Sequence, residues 1–362
     1  MGGLRISLFV AKPCRYWKAR EQSVHMNRRR RTRPSVLIIA LLIDLLLGEP
    51  PNRFHPVAWM GSAIAAARRQ APGNRGDQVS PRGRLISLAY GALIGLGGTF
   101  GVYRLGRLAE DLIDRLPPAL RWATEAALLK TTFSVRRLAH AAREIQSALD
   151  RDDLPEARRL TSWHLVSRET SSLTQSQVAA AAIQSVAEST SDGIMAPLVS
   201  YFCAGLPGAF AYRFANTADS MLGYRDEARE WLGKVPARWD DLLNLLPARL
   251  TALLLIIGAA VSGEDAGQAW RVWRRDRRKT ASPNAGRPMS AMAGALGVEL
   301  EKADHYTLGG GGSAPRAADI SRAVRVMGTS VALGLGLILG VSILQSRVQR
   351  DCARATPGKT QE

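Results

Sequence analysis

The chain has 362 residues and a formal charge of +18, from 49 basic and 31 acidic side chains. So basic a balance points to nucleic acid, an anionic membrane surface or acidic substrates. Nucleic acid is disfavoured, because no helix-turn-helix, zinc-finger or aromatic ribonucleoprotein pattern accompanies the bases. Mean hydropathy is near zero, at −0.07, yet apolar residues bunch into runs between polar loops, the pattern of a multispanning membrane protein. The expected fold is all-α: a polytopic helical bundle in a membrane, with polar helical loops and a broken or re-entrant apolar segment. Cys14, Cys203 and Cys352 match neither metal-ligand spacing nor a disulfide framework. Cys203 lies in an apolar run and reads as a small buried hydrophobe.

Residues 1–34, with NRRRRTR at 27–33, form a basic extension that is expected to be disordered. Either it is a cytoplasmic tail obeying the positive-inside rule, or translation begins at Met26. One membrane-embedded domain is expected over 35–346, followed by a polar tail over 347–362. SVLIIALLIDLLLG at 35–48 is apolar but shorter than the about 20 residues a crossing needs. Asp44 inside it is either a functional group at depth or an interfacial residue of a short helix. EPPNRFHPVAWMG at 49–61 reads as a rigid turn, and His55 in it offers an acid, a base or a phosphate donor. A surface loop is expected over 62–84.

Residues 85–105 are the first stretch long enough to span, and their glycines suit close helix packing. Residues 106–183 carry a polar helical pattern, with a helix starting near Pro155. In VSRETSSL at 166–173, Arg168 and Glu169 stand beside hydroxyls at a helix start, a setting for an anion. Residues 194–212 are apolar but broken by Pro197, Gly205, Pro207 and Gly208, and 250–263 are apolar and short. WRVWRRDRRK within 264–281 suits an interfacial helix facing anionic headgroups. PNAGRP at 283–288 is a turn whose Arg287 is placed to clamp an anion. GGGGSAPR at 309–316 lacks the Gly-Lys-Ser/Thr of a P-loop and reads as a flexible loop. The last span is expected within 323–346.

Residues 185–249 concentrate the chemistry. Glu188 and Asp192 are four apart and share a helix face. Asn216, Asp219, Ser220 and Gly223 recur at three- and four-residue steps. Asp240, Asp241 and Asn244 repeat the spacing before Pro247, where the helix is expected to stop. Three acidic clusters with Arg213, Arg225, Arg238 and Arg249 among them suit a divalent cation and phosphate, since hard cations take oxygen ligands and phosphate takes guanidinium forks. A solvated face with weak ion pairs is the competing account of each cluster taken singly. Ser-His-Asp, HExxH and GxGxxG signatures are absent from the sequence.

Together, GEPPNRFHPVAWMG, SRET, AESTSDGIMAPL, YRFANTADSMLGYR, ARWDDLLNLLPARL and SPNAGRPMSAMAGALGV resemble the CobD/CbiB proteins of cobalamin biosynthesis, the adenosylcobinamide-phosphate synthases. The resemblance runs from about residue 41 to 306. It departs from the family pattern at Glu49 and Glu169, which replace Asp, and at Ser189, which replaces Asn. It implies an ATP-dependent acid–amine ligase of the cell membrane with its active site facing the cytoplasm. Such an enzyme joins cobyric acid to aminopropanol or its phosphate, using Mg2+ beside the nucleotide, with no nucleic acid involved. Other corrinoid-assembly enzymes are candidate partners. Within the motifs, His55, Glu188, Asp192 and Asp219 are assigned catalysis, and Glu188, Asp192, Asp219 and Asp241 are assigned magnesium. Arg168, Arg213, Asn216, Arg225, Asn244, Arg249, Asn284 and Arg287 are assigned substrate and phosphate. A transporter and a lipid-headgroup transferase remain the alternatives, the first without visible inverted halves and the second without its usual spaced aspartate signature.

Because AESTSDG precedes the run at 194–212 and NTADSM follows it, shared chemistry requires both on one face of the membrane. A straight 19-residue helix rises about 28 Å, close to the hydrocarbon thickness, and would place them on opposite faces. The prolines and glycines inside the run argue for a bent or re-entrant segment; the alternative is a true crossing with a polar cavity that reaches both motifs from one side.

Overall fold

The computed structural model describes residues 33–72, 80–165, 170–223, 230–302 and 305–354. Helices dominate. In chain order they are α1 (Pro34–Leu47), α2 (Pro56–Arg69), α3 (Pro81–Ala92), α4 (Gly98–Ile113), α5 (Pro118–Lys130), α6 (Val135–Asp150) and α7 (Leu154–His164). There follow α8 (Gln175–Ser189), α9 (Ala196–Leu222), α10 (Glu230–Leu243), α11 (Leu245–Val261), α12 (Ala266–Asp276), α13 (Gly286–Leu296) and α14 (Ala317–Arg354). Between α13 and α14 a small antiparallel hairpin pairs β1 (Leu300–Lys302) with β2 (Tyr306–Leu308), Glu301 opposite Thr307.

Local chemistry sets most helix starts. Pro34, Pro56, Pro81 and Pro118 occupy first helical positions, where the missing N–H costs nothing and φ is already helical. Ser80, Ser134, Asp153 and Asp265 cap by accepting from a backbone N–H three residues on, and Thr174 closes a full capping box with Gln177. The rigid turn expected over 49–61 is confined to its first half. It holds one 3-10 turn (Asn52–Phe54), and Pro56 then starts α2, which runs through the first part of the expected 62–84 loop. Pro247 likewise does not stop a helix: it sits in the first turn of α11. The break falls at Asn244, where α10 and α11 meet at 50°.

Among the described residues three helical stretches are long and apolar enough to cross a membrane: Pro81–Ile113, Gln175–Leu222 and Ala317–Val348, with the bent α10–α11 pair as a broken span or re-entrant loop. α1 has 14 residues and rises only about 21 Å, too short to cross. A π-turn over Leu93–Gly97 makes α3 and α4 continuous, and a second over Thr190–Met195 joins α8 to α9. The glycines of the first span do admit close neighbours. A Cβ on Gly91 would stand 2.0 Å from the Leu232 carbonyl oxygen, and one on Gly106 would stand 2.8 Å from Pro207 Cα.

The second stretch is not straight. Gly205 adopts φ 70°, ψ −163°, outside helical space, with Pro207 just beyond. The chain folds back there, and the Tyr212 hydroxyl donates to the Asp192 carbonyl oxygen at 3.2 Å. Twenty residues of straight helix would separate those two positions by about 30 Å. The expected bend is therefore present, and the AESTSDG and NTADSM motifs belong to one region.

The core centres on α8 and α13. Val178–Ile183 of α8 is buried throughout, as is every residue of α13. α13 packs tightly on α12: a Cβ on Gly294 would stand 2.7 Å from Ala269 Cα. The apolar face of α12 is accordingly taken up by the protein. Ala269, Val272 and Trp273 face inward, Trp270 is about half exposed, and Arg271, Arg274 and Arg275 lie outward. The glycine-rich segment at 309–316 is tied down rather than loose. Gly309 N–H donates to Asp276 Oδ2 at 2.8 Å, and Gly311 N–H to Glu299 Oε2 at 3.2 Å. Two further expectations change. Cys203 is exposed on its apolar helix rather than buried, and the polar tail expected from 347 continues α14 to Arg354. Arg33, placed in the basic extension, is fixed by ion pairs of 2.6 Å to both Asp114 and Glu125.

Candidate active site

The fold-back at Gly205 sets Asp192 against the far end of the same helical stretch. Tyr212 donates to Asn244 Oδ1 at 2.8 Å as well as touching the Asp192 carbonyl. Asn244 in turn donates to Asp240 Oδ2 at 2.9 Å, and Asn216 reaches Asp240 Oδ1 at 3.4 Å. Asp192 stands within electrostatic reach of Asp240, Glu188 and Asp219, and Asp219 within reach of Asp241. Four of the predicted groups, Glu188, Asp192, Asp219 and Asp241, thus join Asp240 in one polar tract. Asp240 and Asn244 are buried, while Glu188, Asp192 and Asp219 are partly open. Arg213 sits among them, donating to Asn216 Oδ1 at 3.2 Å and facing Asp192, Asp240 and Glu49. Asn244, assigned to substrate and phosphate, has both ends of its amide taken inside the protein.

A second cluster joins this tract through Arg213. His55 Nε2 lies 3.0 Å from Glu49 Oε2, and Lys130 Nζ lies 2.7 Å from the same oxygen and 3.4 Å from Asp44 Oδ1. Burial pushes the Glu49 carboxyl up, but hydrogen bonds from His55, Lys130 and Ser134 outweigh it and hold it at about 2. Glu49 is therefore a fixed anion that orients His55, whose Nδ1 is buried with no partner. Asp44 proves to be an internal anchor. It is fully buried and accepts from Val135 N and Arg136 N at 3.0 Å each, holding the start of α6.

A third group borders the tract at Asp241. The 282–287 turn docks there, Ser282 Oγ donating to Asp241 Oδ1 at 3.1 Å and Asn284 Nδ2 to the Asp241 carbonyl at 2.7 Å. Arg287 ends that turn, 8 % exposed, with Nε on the Pro283 carbonyl at 3.1 Å. Its charged neighbours are Arg249, Arg277 and Arg278. Arg168 and Arg225 lie outside the described residues. Among the described residues no three His, Cys, Asp or Glu side chains are arranged to hold a metal ion. The four predicted magnesium ligands share one tract without forming a ready-made cage.

Sequence reasoning passed over Lys130, Tyr212 and Asp240. A lone lysine ending the apolar ATEAALLK was the signal for Lys130, because a buried ammonium requires an anion. Tyr212 directly precedes the assigned Arg213. The spacing places Asp240 in its cluster without giving it a role.

Fold and site together define a helical membrane protein whose broken spans enclose a charged tract of carboxylates, arginines and amides. The profile of the CobD/Cbib protein family matches residues 37–327. The chain is 42 % identical over 275 residues to the cobalamin biosynthesis protein CobD of Dehalococcoides mccartyi, covering 76 % of this chain and 86 % of that one. It is 38 % identical over 313 residues to the cobalamin biosynthesis protein CbiB of Salmonella typhimurium, covering 83 % and 95 %. With CobD of Citrobacter koseri it shares 38 % over 314 residues, covering 84 % and 96 %. The chain belongs to the CobD/CbiB family. No solved structure matches it.

Proposed function

We propose that this protein acts in cobalamin biosynthesis as an ATP-dependent amide-forming ligase, attaching aminopropanol or its phosphate to the carboxylate of cobyric acid. The observation that carries the proposal is the convergence of Glu188, Asp192, Asp219, Asp240 and Asp241 with Arg213 across the Gly205 fold-back. Such a tract has no structural need in an apolar bundle, and ionisable groups inside membrane-spanning helices mark functional sites.

Forming an amide from a carboxylate requires an activated acyl group. In the proposed reaction the corrin carboxylate attacks the terminal phosphorus of ATP, ADP leaves, and an acyl phosphate results. The amine then attacks the acyl carbon, inorganic phosphate departs, and one proton passes to a base. Arg213 is placed to steady anionic oxygens. His55, oriented by Glu49 through Nε2, presents Nδ1 as an acceptor for the amine proton. Bound magnesium would neutralise charge spreading over the phosphates. The carboxylates fit a magnesium that arrives with its phosphates, since that ion commonly takes one or two protein carboxylates and keeps its remaining positions for phosphate and water.

The test is nucleotide turnover by the purified full chain in detergent. ADP release that requires both cobyric acid and the amine is expected. ADP release indifferent to cobyric acid would reject the ligase assignment and favour transport or headgroup transfer.

A further inference from the structure

Four arginines gather where α11, α12 and α13 meet, and no acid among the described residues is paired with any of them. Arg287 is the most buried, 8 % exposed, and the one described hydrogen bond of its guanidinium is from Nε to the Pro283 carbonyl. Its surroundings are cationic: desolvation, then Arg249, Arg277 and Arg278, hold its pKa below the usual guanidinium value. Arg277 is braced from behind, its guanidinium 4.7 Å from the centroid of the Trp273 ring. Arg278 is exposed. A buried guanidinium facing three more is costly unless an anion completes it. Next to them in the chain Arg275, by contrast, is matched by Asp276 at 2.8 Å.

The same turn carries an independent mark. Asn284 is 3 % exposed, its Nδ2 is committed to the Asp241 carbonyl, and its Oδ1 is buried with no donor. A buried acceptor without a partner is the kind of group a ligand donor satisfies. Through Asp241, this turn also touches the carboxylate tract, so an anion held here has carboxylates for a bridging cation at its side.

We infer that Arg249, Arg277, Arg278 and Arg287, with Asn284, form the subsite for the polyphosphate chain of a nucleotide, set against the Asp241 end of the carboxylate tract. Charge selects polyphosphate over monophosphate: four guanidiniums match a triphosphate better than a phosphomonoester, which carries about two charges. The inference rests on the ATP-dependent ligation proposed above and gives it a location.

The test is direct binding, without turnover, of magnesium with the non-hydrolysable analogue AMP-PNP, by calorimetry on the full chain in detergent. Arg277→Gln and Arg278→Gln should each weaken binding roughly tenfold, the loss of about one charge-assisted hydrogen bond. Arg274→Gln, an equal charge change on the outward face of α12, should leave binding unaltered. Equal binding by wild type and both variants would place the nucleotide elsewhere and overturn the subsite, leaving the ligation itself standing. Binding of inorganic phosphate or aminopropanol phosphate that is lost in both variants, without AMP-PNP binding, would overturn the polyphosphate assignment in favour of a phosphomonoester. Wild type that binds none of these would overturn the subsite.

Discussion

Replacing Gly205 by alanine tests the fold-back on which the candidate site depends. At φ 70°, ψ −163°, Gly205 occupies a region essentially closed to residues with a Cβ, at a cost of about 1–3 kcal/mol. The added Cβ would also stand 2.5 Å from Glu110 Oε1. Glu110 cannot yield freely, because its other oxygen is paired with Arg107 at 3.0 Å. Both effects push the chain toward a regular helix, which would carry Tyr212 away from the Asp192 carbonyl and pull Asn244 and Asp240 with it. A misplacement of about 1 Å among reacting groups costs on the order of a hundredfold in rate. Thermal unfolding in detergent and amide-forming turnover are the paired assays. Gly205→Ala is expected to unfold several degrees lower and to lose about two orders of magnitude in turnover. A variant with unaltered unfolding temperature and full turnover would show that the fold-back is neither strained nor needed.

Asp192→Asn and Asp240→Asn should each reduce turnover roughly a hundredfold with the unfolding transition retained, as for groups that stabilise developing charge, measured by steady-state product formation. Lys130→Met should destabilise by about 3–5 kcal/mol in denaturant titration, because it strips the cation from the buried Asp44 carboxylate and the half-buried Glu49 carboxylate. Glu49 should make stability pH-dependent. Its folded pKa lies at about 2 against 4.5 for the free side chain, so the stabilisation is complete above pH 4.5 and drains away as pH falls toward 2. The amount is on the order of 3 kcal/mol, and Glu49→Gln should flatten that limb of the stability–pH curve.

The apolar runs, the need for a bend in 194–212 and the three acidic clusters were legible because each is a local pattern of composition and spacing. Length and composition together pointed to a bend within 194–212, where 19 residues match a bilayer and four prolines and glycines interrupt them, but not to Gly205 among the four. What stayed hidden was side-chain pairing over long sequence distance. Nothing near Asp44 announces Lys130, 86 positions away, or the α6 N-terminus that Asp44 caps. Asn244 looked like a ligand-reading amide, yet Asp240 one turn earlier and Tyr212 on another helix consume it. Pro247 was misjudged for the opposite reason. A proline bars a helix interior but suits a first turn, and only the bend at Asn244 shows which applies. The charge of the WRVWRR run is plain in the sequence, whereas the close approach of Gly294 to Ala269 is not.

Isotope transfer tests the central claim most directly. Cobyric acid labelled with oxygen-18 in the reacting carboxylate would be incubated with the purified full chain, ATP, magnesium and the amine, and the phosphate released would be analysed by mass. An acyl-phosphate route predicts one labelled oxygen in inorganic phosphate for each amide formed. Amide formed with unlabelled phosphate, or with the label in a nucleotide, would contradict it.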